Sequence, residues 1–281
     1  MTNPEDVSVS DKIPTSAWKT IIILSCVGMI VMFDETMIIP AIPDFVEEFG
    51  ISYSASSWML SAYIIAAAVM TPIAGRLSDT HGQKKILLVI IPIYIVGVLV
   101  GRFATNIEIM LFARVLQGVG MAMFPVAFGI IRTTIPEKKI AMAQTIFGST
   151  FPTGAIFGLV GGAAIIQNYG WQATFVAILP IAIALWMIIW RFIPSSNPST
   201  AKENNYAVNK LLDLKGISLL TVTIVAFLSA ITLLETKDAG YYVMILFAVS
   251  AISLFAFIVT EKRVNQPLLD LKLMTNRNFL P

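Results

Sequence analysis

Eight runs of largely apolar residues, each long enough to cross a bilayer as an α-helix, set the first limit on what this chain can fold into. The hydrocarbon core is about 30 Å thick and a helix rises about 1.5 Å per residue, so about 20 residues suffice for one crossing. The runs lie at 18–40, 56–76, 86–104, 109–131, 140–166, 171–193, 216–235 and 241–260. Lipid offers no partner for backbone amides, and the runs are too long and too poorly alternating for barrel strands, so they must be helices. Composition agrees. Of the 281 residues, 57% are hydrophobic and 13% charged, against about 25% charged in soluble domains. The expected fold is an all-α polytopic membrane protein with eight spans. A polar tail at 1–17 precedes six spans at 18–193, a linker at 194–215 separates these from two more helices at 216–260, and a mixed segment closes the chain at 261–281.

The distribution of basic residues orients these spans. With the N-terminus in the cytoplasm, 16 of the 19 Lys and Arg residues fall on the inner side, among them Arg76, Lys84, Lys85, Lys138, Lys139, Lys262 and Arg263. Only Arg102 and Lys237 fall outside, and Arg114 lies within the fourth run. Inner loops carry such an excess, so both termini are expected to be cytoplasmic. The first 17 residues are polar and acidic, unlike a cleaved leader. The basic residues sit between spans rather than on one stripe, which argues against a nucleic-acid partner. The lone cysteine, Cys26, excludes an internal disulfide or a cysteine-rich metal site, and its apolar run suggests a small packed residue. His81, the only histidine, lacks a ligand partner in sequence. No nucleotide loop, metal spacing or nucleophile–base set is present, so neither an enzyme nor a cofactor is expected.

Asp34 and Glu35 stand about two-thirds of the way along the first run, where an ionised side chain costs about 2.5–3.5 kcal/mol to insert. Such residues face a bundle interior. Being adjacent, they are about 100° apart around the helix, so one carboxyl can bind while the other supports it. A carboxyl that apolar surroundings desolvate can hold and release a proton near neutral pH. A structural reading stands beside this one, with Glu35 at the external interface and Asp34 tying two helices together. Arg114 supplies the opposite charge, and with Gln117 and Met121 it makes an i, i+3, i+7 stripe expected to line a cavity. A purely structural arginine pinning two helices is the alternative.

Two glycine patterns concern packing. Gly154, Gly158 and Gly162 recur every four residues in the fifth run, with Gly161 beside them, and such a face admits a close neighbouring helix. That face suits a static dimer contact or a sliding surface equally well. Between the second and third runs, the segment 75–85 reads as a tight inner loop with glycines near both ends. Within it Gly75, Asp79, Gly82 and Lys84 suit a charge latch between helix ends, the simpler reading being a topology anchor.

That last segment resembles the signature loop of the major facilitator superfamily: a glycine, an acid four positions on, a glycine three after that, then bases. Thr80 and Gln83 replace two usual bases. Asp34-Glu35-Thr36 with Ala41-Ile42-Pro43 is similar to the first-helix signature of the fourteen-spanning drug:proton antiporter branch, and 114–120 to its fourth-helix signature. Trp171 and Pro180 also occupy positions that branch uses. In the fifth helix the branch carries Gly-Pro-x-x-Gly-Gly, whereas this chain has Leu159 in place of the proline.

The resemblance covers the whole chain and implies a secondary transporter whose two bundles enclose a midplane site. The helices at 216–260 would be the pair this branch inserts between its halves, and six more helices would follow. The expected activity is proton-coupled export of amphipathic or cationic small molecules from the cytoplasmic membrane, with Asp34, Glu35, Arg114, Gln117 and Met121 around the cavity. Lipid, a small-molecule substrate and a second chain or copy supplying the missing bundle are the expected partners. A carrier for another metabolite and a non-transporting membrane scaffold are the alternatives.

Overall fold

The structure is a computed structural model describing residues 14–194, 214–234, 236 and 239–263. Most of the expected tail, linker and closing segment, at 1–13, 195–213 and 264–281, lies outside the described residues. Among the described residues, eight helical units are long and apolar enough to cross a membrane. The first is α1 (Thr15–Met37), which continues through a 3-10 turn at Ile39–Ala41 into the short α2 (Ile42–Phe49). Pro40 and Pro43 each sit within the first two positions of a new segment, where their missing amides cost nothing. The chain therefore bends there and keeps its helical character. Gly50, at φ +62°, ends α2 in a left-handed conformation.

The next unit departs from expectation. α3 (Tyr53–His81) is capped by Ser52, whose side chain accepts from the Ala55 amide at 3.1 Å, and runs unbroken for 29 residues. At about 1.5 Å per residue it spans about 43 Å, beyond the hydrocarbon thickness. Arg76 to His81 are therefore helix standing clear of the membrane core, and not the loop expected at 75–85. Gly82, at φ +94°, is the single residue between α3 and α4 (Gln83–Arg102). Polar residues suggested a loop, but a helix that has left the lipid can keep its hydrogen bonds and expose polar side chains to water.

α5 (Ile107–Gly118) starts at Asn106, which caps the Ile109 amide at 2.9 Å. It passes through a 3-10 turn at Val119–Ala122 into α6 (Met123–Thr134). The expected single helix at 109–131 is thus two segments, pinched where Gly118 lies against the Tyr63 carbonyl and Gly120 against the Tyr94 ring. The fifth crossing likewise divides at Ser149 into α7 (Ile140–Gly148) and α8 (Thr150–Tyr169), followed by α9 (Gln172–Phe192). The last two crossings are α10 (Leu214–Leu233) and α11 (Gly240–Arg263).

Because successive crossings alternate in direction, α1 begins on what we call the near face, which also carries Gly82 and the end of α9. The far face carries Gly50, Arg102 and Tyr169. α1 lies along α8 and touches α6 and α9, while α4 and α5 pack together and against α3, and α4 also packs on α9. α10 and α11 form a hairpin tied by Ser250 to the Thr223 carbonyl (3.1 Å) and Ser253 to the Leu219 carbonyl (2.8 Å). The hairpin rests on α3, where the Thr232 hydroxyl donates to Ser61 Oγ at 2.8 Å. In lipid, packing and such hydrogen bonds hold helices together, because apolar burial gains little there.

Candidate functional site

α1 and α5 carry one ionisable residue each into the interior of the six-crossing bundle. Asp34 on α1 and Arg114 on α5 are both fully buried, with Arg114 Nη1 3.6 Å from Asp34 Oδ2. The guanidinium is held on several sides. Its Nε donates to the Met59 carbonyl at 3.3 Å, and Nη1 donates to Gln117 Oε1 at 2.7 Å and to the Asp34 carbonyl at 3.4 Å. Its Cζ stands 4.3 Å from the centre of the Tyr63 ring, within cation–π range. Gln117 in turn donates from Nε2 to the Gly97 carbonyl at 3.1 Å, linking α5 to α4.

The carboxylate is far less constrained. Neither Asp34 Oδ1 nor Oδ2 accepts a hydrogen bond, and Arg114 Nη2 also lacks a partner. Most buried polar atoms have a hydrogen-bond partner, so three atoms of one ion pair without a protein partner set this site apart from the rest of the interior. A carboxylate that faces one cation and accepts no hydrogen bond from the protein can change protonation while dismantling little else.

Gly97 and Gly101 make room for this arrangement. A Cβ on Gly97 would meet the Gln117 backbone nitrogen at 2.8 Å, and one on Gly101 would meet Gln117 Nε2 at 3.1 Å. Met59, Tyr63, Gly97 and Gly101 were not among the residues singled out from the sequence. The four-residue spacing of Gly97 and Gly101 was a readable sign of close packing, whereas nothing marked Tyr63 as the arginine's aromatic partner.

The expected stripe needs correction. Arg114 and Gln117 are completely buried rather than lining an open cavity, because Tyr63, Met59 and the α4 backbone close over them. Met121 falls on the 3-10 turn, where the α-helical register of the stripe ends, and is half-buried against the apolar core. Glu35 is half-buried on a different side of α1 from Asp34, and its Oε2 is also without a hydrogen bond.

The glycine face lies against α1 within this chain. A Cβ on Gly154 would meet the Met29 carbonyl at 2.6 Å, one on Gly158 would overlap Thr36 Oγ1, and one on Gly162 would meet Met37 Cβ at 2.9 Å. Thr36 Oγ1 also donates to the Ala155 carbonyl at 3.0 Å. The face therefore holds the helix bearing Asp34, and is no surface for a second copy. Gly161 stands off it, with Phe33 Cε2 3.5 Å from its would-be Cβ.

At the near face, Gly82 forms the turn between α3 and α4, Gly75 has open space beside it, and Asp79 is exposed in the last turn of α3. Lys84 reaches across to α9, donating from Nζ to the Trp190 carbonyl at 2.9 Å. That carbonyl belongs to the last turn of α9, so the cation both fills an orphan acceptor and meets the negative end of the helix dipole. Cys26 is exposed on the bundle surface, contrary to its expected packing. Among the described residues no three His, Cys, Asp or Glu side chains gather as a metal-holding group.

A family model described as Major Facilitator Superfamily matches residues 24–270. The chain belongs to that superfamily. Curated relatives include the "Probable multidrug resistance protein EmrY" of Escherichia coli (strain K12), 25% identical over 267 residues, covering 93% of this chain and 50% of the relative. "Multidrug resistance protein 3" of Bacillus subtilis (strain 168) is 28% identical over 250 residues, covering 88% of this chain and 47% of the relative. The superfamily member described here thus spans about half the length of the curated relatives it matches. A solved structure, the human organic anion transporter MFSD10 (TETRAN), superposes with a TM-score of 0.62 at 14% identity, covering 80% of this chain and 57% of that one. At that identity the likeness concerns the fold alone.

Proposed function

We propose that this chain is the N-terminal part of a proton-coupled exporter of amphipathic or cationic small molecules that works by alternating access in the cell membrane. The observation that carries the reading is the fully buried Asp34 carboxylate, 3.6 Å from Arg114 and without a hydrogen bond on either oxygen. A proton arriving at Asp34 removes the charge that opposes the guanidinium, while Arg114 keeps its bonds to Met59, Gln117 and the Asp34 carbonyl. Proton binding thereby changes the force between α1 and α5 without unfolding either. Two conformations that weigh this pair differently would couple proton movement to access. The near face is the cytoplasmic side in this reading, in keeping with its basic residues. A second bundle, from a longer form of the protein, another chain or another copy, supplies the opposite wall of the substrate path. The relatives named for multidrug resistance support the substrate class.

The test uses the protein together with its complementary bundle in proteoliposomes under an imposed pH gradient. Asp34→Asn is expected to insert and fold but lose proton-driven accumulation, and Glu35→Gln to be milder. Full transport by Asp34→Asn with an unchanged pH profile sinks the assignment.

One feature favours a second reading, a carrier for another metabolite. Leu159 stands where the antiporter branch carries proline, and α8 runs without a break from Thr150 to Tyr169. Competition for uptake between lipophilic cations and polar metabolites separates the two readings.

A further inference from the structure

A groove on the outside of the bundle joins two cavities of opposite character. The first opens at the far face, about 590 Å³ in volume, with Arg102 from α4, Tyr169 from α8 and Gln172 from α9 around it. The second lies deeper between α8, α9 and α1, about 240 Å³, and is walled by Phe157, Ala177, Ile181 and Phe33, with Cys26 as its one side chain carrying a heteroatom besides Met29. Ala177 lines both, so they are consecutive parts of one path. From Gln172 to Ile181 along α9 the path descends about 14 Å, which is about the depth of one leaflet's hydrocarbon.

The groove sorts its chemistry by depth as a lipid does. Its mouth holds a half-exposed cation, since Arg102 has no carboxylate within ion-pair distance among the described residues and rests only over the Phe103 ring at 5.6 Å. Glu48, the acid that bonds to Gln172, is shared with the Trp171 indole, which donates to it at 2.6 Å. Tyr169 is 78% exposed at the level where aromatic residues meet headgroups. Below the mouth nothing charged lines the path.

We propose that this groove seats one anionic phospholipid from the leaflet at the far face. Its phosphate lies on Arg102, and one acyl chain runs past Ala177 and Ile181 to Cys26. Arg102 brings like charge to a cationic amphiphile, while the Glu48 carboxylate nearby is turned to Trp171 and Gln172 and makes no ion pair with Arg102. The site is separate from the Asp34–Arg114 pair and does not depend on the proposed transport.

The experiment places the purified chain in nanodiscs of mixed phosphatidylglycerol and phosphatidylcholine, each doped with a form carrying a diazirine midway along one acyl chain. After irradiation, labelled peptides are mapped. Label is expected to concentrate on 26–33 and 177–181, with phosphatidylglycerol favoured. Arg102→Gln, a surface change, is expected to reduce phosphatidylglycerol label about fivefold and remove the preference. Ala177→Trp fills the junction and is expected to lose the label from both peptides, with circular dichroism reporting its folding; if it does not fold, Arg102→Gln decides alone. Label spread over every lipid-facing helix, or unchanged in Arg102→Gln, overturns the proposal as ordinary boundary lipid. Loss of the preference on adding inorganic phosphate overturns it in favour of a simple anion site. Displacement of the label by tetraphenylphosphonium overturns it in favour of a route for cationic solutes.

Discussion

Arg114 keeps hydrogen bonds to three oxygens besides the carboxylate it faces, whereas the carboxylate of Asp34 has only the arginine. That asymmetry predicts unequal responses to removing either partner. Arg114→Met discards the bonds to Met59 and Gln117 and strands a buried acid, a loss of about 3–5 kcal/mol. Asp34→Asn leaves the guanidinium bonded and should cost about 1–2 kcal/mol. Thermal unfolding in detergent compares them, and equal losses would contradict the asymmetry.

The contact between α1 and α8 makes two neighbouring glycines unequal. Gly158→Ala places a methyl group on Thr36 Oγ1 and the Phe33 carbonyl, so it should destabilise by about 1–3 kcal/mol as an overpacked core does. Gly161→Ala meets only Phe33 Cε2 at ordinary distance and should be neutral, or stabilise by up to about 1 kcal/mol through helix propensity. The same unfolding measurement reads both.

Lys84 is expected to act as a clasp on the end of α9. Lys84→Met should lose about 1 kcal/mol with its bond to the Trp190 carbonyl, and faster hydrogen exchange of amides in the last turn of α9 would localise the effect. Lys84→Arg, which can still reach a carbonyl, should retain most of the protection. Unchanged exchange in Lys84→Met would mean that the contact contributes nothing in the membrane.

Orientation is testable apart from function. With 16 basic residues assigned inside and two outside, cysteines introduced at Ser199 and Asn168 in a Cys26→Ser background should react with an impermeant maleimide from opposite sides of the membrane. Labelling of both from outside the cell would reverse the assignment.

The apolar runs by themselves determined that this chain is helical, that its described residues hold eight stretches long and apolar enough to cross a membrane, and, apart from the end of the first, where those stretches fall to within a few residues. The physical reason is that lipid leaves a long apolar segment no other way to satisfy its amides. The sequence also picked out Asp34 and Arg114, because charge at that depth is too costly to occur without a partner, and Gln117 by its i, i+3 spacing from Arg114. Three-dimensional packing decided the rest. Whether Asp34 or Glu35 meets Arg114 depends on the rotation of α1, which Gly154, Gly158 and Gly162 set from another helix. Tyr63 meets Arg114 across 51 residues of chain and Gly97 meets Gln117 across 20, contacts that no local pattern encodes. The helix through Arg76–His81 ran where polarity suggested a loop, because polarity reports where lipid ends and not where backbone hydrogen bonding does. Cys26 looked buried by its apolar neighbours, yet α8 and α9 part around it, and only the tertiary arrangement opens that groove.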